Sequence, residues 1–124
     1  MSDYDALGGE PALRAIIDDF IDREAGDFIV GFMFQGVDLE RVKEMEFQLA
    51  SAHLGGPHAY TGRPLGPVHK RLPINSGHFA RRLAFLRKVL GDHGVDPGII
   101  ERWVAHDAKL EPLITDGTHC TPSP

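Results

Sequence analysis

At 124 residues, with 42% apolar and 25% charged residues, the chain suits one globular domain around a single buried core. A net charge of −5 gives no reason to expect nucleic acid or an anionic membrane as a partner. The single cysteine, Cys120, cannot staple a domain, and the acidic start MSDYDALGGE lacks the basic-then-apolar pattern of a secretory signal, so a reducing, cytoplasmic location is expected.

The elements read as helices. In GEPALRAIIDDFIDREAGD, Leu13, Ile16, Ile17, Phe20 and Ile21 recur at helical spacing, with Pro11 suited to the first turn and Gly26 to the end. FIVGFMF is a compact apolar stretch, too short to cross a bilayer, and reads as a short helical turn. Asp38 can cap a second helix whose stripe is Leu39, Val42, Met45/Glu46, Leu49 and Leu54. GGPHAYTGRPLGP, with four glycines and three prolines, then interrupts regular structure. Asn75 or Ser76 starts a third helix bearing Phe79, Leu83, Leu86 and Leu90, closed near Gly94. Asp96-Pro97 starts a fourth, carrying Ile99, Ile100, Trp103, Val104, Leu110 and Leu113. No run alternates as a strand would, so the fold class is all-α. Residues 1–117 form the domain, and the small polar and proline residues of 118–124 give a disordered tail with little to bury.

The long segment between the second and third helices holds His69 among Leu65, Val68, Leu72 and Ile74. Irregular segments of that length are usually functional or disordered. Taken alone, His69 is either a hydrogen-bonded core residue or a ligand. The other histidines (53, 58, 78, 93, 106 and 119) are scattered and lack the His-Glu-x-x-His spacing, which reads as surface or interfacial side chains and makes a zinc enzyme improbable.

Three segments together carry a resemblance: YDALGGEPALRAIIDDF at 4–20, LGGPHAYTGRPLGPVHKRL at 54–72 and HFARRLAFLRKVLGDHGV at 78–95. They resemble the truncated haemoglobins of group I. The resemblance implies a truncated globin fold, a two-over-two helical sandwich around haem b. It implies that His69 is the proximal ligand of the iron and that Phe34 wedges against the haem face. Val42, Leu49, Leu65, Val68, Ile74, Phe79 and Leu86 are implied apolar contacts, and Tyr60 lies near a propionate.

The chain also departs from the family. Ile21 stands where oxygen-binding members usually place a tyrosine, and Val42 and Glu46 where glutamines are usual. Isoleucine donates no hydrogen bond. Glu46 sits on an apolar stripe, where it either turns outward to Lys43 or Arg23 or presents a carboxyl to the haem pocket. Met45 either covers the haem edge or supplies a sixth ligand through its sulfur. The leading expectation is a haem protein for diatomic gases (O2, NO or CO). Its enzymatic version is nitric oxide dioxygenase-type or peroxidase-type turnover, with a reductase if redox-active. The alternative is an electron-transfer or redox-sensing protein with Met45 as internal ligand. A third reading is a globin-fold scaffold without haem. A monomer or weak dimer is expected.

Overall fold

A computed structural model describes residues 1–65 and 73–115. The described helices are α1 (Asp3–Leu7), α2 (Gly9–Ala25), a 3-10 turn (Gly31–Phe34), α3 (Leu39–Leu54), α4 (Ser76–Asp92), α5 (Pro97–Ala108) and α6 (Glu111–Ile114). There are no strands among the described residues. No described helix is long and apolar enough to cross a membrane. The tail expectation for 118–124, and with it His119 and Cys120, lies outside the described residues.

Local chemistry sets the helix starts. Ser2 caps α1, accepting from the Asp5 amide at 3.1 Å. At Gly8, φ is 119°, a left-handed conformation that costs glycine nothing and lets α1 turn at once into α2. Asp38 caps α3 by accepting from the amides of Glu40 at 3.1 Å and Arg41 at 3.4 Å. Asn75 caps α4, accepting from the His78 amide at 2.9 Å, while His78 Nδ1 accepts from the Asn75 amide at 3.1 Å. Asp96 caps α5 through the Gly98 amide at 2.9 Å. Each such bond satisfies an N-terminal amide that has no partner within its helix.

The elements assemble as a two-over-two sandwich: α2 packs on α3 and on α4, and α4 packs on α5. Leu13, Ile16, Ile17, Phe20 and Ile21 of α2 meet Phe47, Ala50 and Leu54 of α3 and Leu86, Val89 and Leu90 of α4. Ile99, Trp103 and Val104 of α5 close the core.

Two expectations need correction. The buried face of α3 is Phe47, Ala50, Ser51 and Leu54, rotated from the expected stripe, so that Leu49 is only half-buried. The fourth helix stops at Ala108, and Leu110 and Leu113 fall around a separate short helix, α6. Pro112 fits the break: it has no amide to donate back to Ala108, and it stands at the start of α6, where a missing amide costs nothing.

Candidate functional site

A cavity of about 820 Å³ opens beside the core, within the roughly 300–1,000 Å³ usual for small-molecule and cofactor pockets. Its wall is mostly apolar. The 3-10 turn contributes Phe32, Met33 and Phe34; α3 contributes Val42 and Leu49; Leu65, Ile74 and Phe79 come from the chain around and after the long irregular segment. A wall of this kind takes a large apolar group out of water.

The polar part of the wall is concentrated on one guanidinium. Arg82, on α4, donates from Nη1 to Glu24 Oε1 at 3.1 Å and from Nη2 to both Glu46 oxygens at 3.3 Å. Asp107 Oδ2 lies 3.6 Å from the same Nη2. Phe20 lies beneath the guanidinium, 4.8 Å from carbon to ring centroid. Burial alone would lower the Arg82 pKa, but Glu46, Glu24 and Asp107 outweigh it and raise it.

The carboxyls respond to the same confinement. Burial, offset by Arg82 and reinforced by the charges of Glu46 and Asp107, pushes Glu24 up to about 7. Its Oε2 is buried with no hydrogen-bond partner among the described residues. Burial also raises Asp107, against the pull of Arg82. Nearby, His53 and His106 stack face to face, 3.9 Å between centroids. Burial, helped by the charge of His106, lowers His53 to about 4, so its ring is neutral at pH 7.

Glu46 therefore does not turn outward. Lys43 is occupied by Asp18 at 2.7 Å and Asp22 at 2.9 Å, and Arg23 by Asp19 at 2.8 Å and Asp92 at 2.9 Å. Glu46 faces the cavity and is paired there with Arg82, a residue the sequence reading did not single out.

The bacterial-like globin family model matches residues 2–114. Group 1 truncated hemoglobin GlbN from Mycolicibacterium paratuberculosis is 33% identical over 92% of this chain and 84% of its own length. The solved structure of THB1 from Chlamydomonas reinhardtii is 32% identical, with a TM-score of 0.79 over 91% of this chain and 95% of that one. A ferric truncated hemoglobin from Tetrahymena pyriformis, a point variant, superposes with a TM-score of 0.87 at 24% identity over 95% of this chain and 100% of that one. The chain is a truncated globin of group I.

Membership in the globin family implies a haem iron cofactor. In this truncated globin, Phe34, Val42, Glu46, Leu49, Leu65, Ile74 and Phe79 all line the cavity. His69 and Val68 lie outside the described residues. Three other expected contacts sit elsewhere. Leu86 is fully buried in the core and is not on the wall. Tyr60, also off the wall, donates its hydroxyl hydrogen bond to the Arg63 carbonyl. Met45 is off the wall too; its sulfur lies against the Gly62 backbone, where an added Cβ would come within 2.6 Å of it. Ile21 is fully buried in the core rather than on the cavity wall.

The missed charges had a signal in the sequence. Glu24 stands three residues beyond Ile21 on the α2 stripe, and Arg82 three beyond Phe79 on the α4 stripe. Asp107 stands four beyond Trp103 on α5. Three charged residues at core-facing spacing on three helices are what a buried ion-pair cluster looks like in one dimension.

Proposed function

We propose that the chain binds haem b without a covalent link, through His69, and presents the haem to a small diatomic gas. The observation that carries this reading is the large, mostly apolar cavity of a group I truncated globin, walled by Phe34, Leu49, Leu65, Ile74 and Phe79. These side chains fit a flat apolar macrocycle, and the lone cysteine, far along the chain at 120, fits non-covalent attachment. His69, on the segment between Leu65 and Ile74, would hold the iron.

Arg82 changes the expectation for ligand chemistry. Neither Ile21 nor Val42 can donate a hydrogen bond, but the guanidinium on the cavity wall can. A ligand atom carrying partial negative charge would be met by its N–H groups, while Glu46 and Glu24 compete for the same donors. The pocket thus holds a donor whose strength is set by two carboxylates. Any redox turnover would need electrons from an external reductase. No observation favours Met45 as a sixth ligand, since its sulfur packs against Gly62.

Purified protein reconstituted with haem b should bind it at one per chain and, when reduced, take up carbon monoxide with the absorption change of a five-coordinate globin. Absence of a stoichiometric haem complex would defeat the proposal. A ferrous spectrum already six-coordinate before gas is added would favour an internal ligand instead.

A further inference from the structure

We propose that His53, His106 and Asp107 form a binding site for a first-row divalent cation, with ligands other than His69. The three side chains meet between the last turn of α3 and the last turn of α5, and all three line the cavity. One ligand atom from each lies within 4.8 Å of the others. His106 Nδ1 is 3.1 Å from Asp107 Oδ1, and His53 Nε2 is 4.0 Å from the same oxygen. The rings are stacked 14° from parallel, and His106 Nδ1 hydrogen-bonds Asp107 Oδ1 through a proton that a cation would replace. Ligand atoms around a tetrahedral zinc, with bonds of about 2.0–2.1 Å, lie roughly 3.3 Å apart. Closing the set needs a rotation of one imidazole out of the stack. His106 has the room, because its side chain is 42% exposed. His53 is held, with its side chain 12% exposed and its ring edge-on to Trp103 at 5.5 Å.

The electrostatics favour a cation here. Glu24, Glu46 and Asp107 surround one guanidinium, leaving an excess of acidic groups in a confined space. Arg82 engages Asp107 through Oδ2, which orients the carboxylate and leaves Oδ1 facing the histidines. Two imidazoles and one carboxylate suit a borderline-soft ion such as zinc, with the remaining position open to water.

The test uses the full chain, haem-loaded, with zinc as the probe. Zinc is titrated by calorimetry into native, His53→Gln, His106→Ala and Asp107→Asn proteins, and zinc and haem are counted in the same dialysed samples. Native protein should take up one zinc per chain with haem content unchanged. His106→Ala, at a half-exposed position, should fold normally and bind zinc about tenfold or more weakly. Failure of native protein to retain one zinc, equal binding by native and His106→Ala proteins, or zinc uptake only with loss of haem would each overturn the proposal. Because haem is counted separately, a failure to load haem leaves the zinc result readable.

Discussion

Arg82 is a charge that the fold has to accommodate and the cavity can use. Its side chain is 17% exposed and faces Glu24, Glu46 and Asp107 at once. Removing one partner of a buried ion pair costs about 3–5 kcal/mol, because the remaining charges lose their compensation. Arg82→Met should therefore lower the melting temperature markedly, whereas Arg82→Lys keeps the charge and should lower it less. The same residue sets the ligand prediction. A hydrogen bond from a charged donor is worth about 1.5–3 kcal/mol, so losing it in Arg82→Met should speed dioxygen release by about tenfold or more. Glu46→Gln should act in the opposite direction, slowing release a few-fold to about tenfold, because the guanidinium then has one fewer anion to serve. Stopped-flow dissociation rates of native, Arg82→Met and Glu46→Gln proteins check both; unchanged rates would place the guanidinium away from the ligand.

Glu24 and His53 give opposing pH dependences of stability. Glu24 is raised from 4.5 to about 7 in the fold, so the folded state keeps a proton that the unfolded chain releases. Its contribution falls as pH rises from about 4.5 through about 7. His53 is lowered from 6.5 to about 4, so the unfolded chain takes up a proton that the folded state refuses. Its contribution rises with pH over nearly the same window. The two slopes offset each other in the native protein. Glu24→Gln should leave the His53 slope alone, so that this variant gains stability between pH 4.5 and 6.5 relative to native protein. His53→Gln should show the reverse trend. Urea unfolding at several pH values reads both; parallel profiles for all three proteins would contradict the assignment.

At the scale of the element, the helix starts rest on single side chains. Asp38→Ala should destabilise by about 1 kcal/mol, the usual cost of a lost N-cap. Gly55, which ends α3 at φ 89°, is more demanding, since a Cβ there would stand 2.8 Å from the Cβ of Ser2. Left-handed backbone costs a side-chain-bearing residue about 1–2 kcal/mol before that clash is added, so Gly55→Ala should be the costlier change in a thermal melt. The caps at Asp38, Asn75 and Asp96 were legible in the sequence because an N-cap is a local arrangement of a few residues. The stripe of α2 was legible because five apolar residues share one face. The face of α3 was not: Phe47 is buried and Leu49 half-buried, and either could follow from a helix with apolar residues on two sides, one for the core and one for the cavity. The Arg82 cluster was hidden for another reason. Glu24, Arg82 and Asp107 each stand at core-facing spacing on their own helix, but the four charges, with Glu46, come from four helices, so which meets which is set only when distant segments pack.

For the molecule as a whole, the cavity couples ligand binding to stability. Phe34, Leu49, Ile74 and Phe79 turn apolar surface into this cavity. Filling it should stabilise the fold by mass action, about 2.7 kcal/mol when free ligand stands at a hundred times its dissociation constant. The melting temperature should accordingly rise with haem, and equal melting with and without haem would contradict a cavity-filling role. The three resembling segments made the globin architecture legible because glycine pairs, capping residues and apolar stripes occur in a fixed order along the chain. They located the cavity through Phe34, Val42 and Phe79, yet also drew in Leu86, which serves the core. A core and a haem pocket want the same side chains, so pattern alone does not separate them. The most direct measurement is a haem b titration of native and His69→Ala proteins, followed by absorption and by haem content after gel filtration. Native protein should hold one haem per chain with a histidine-ligated spectrum, and His69→Ala should lose it on the column; a His69→Ala protein with unchanged haem content and spectrum would contradict the account.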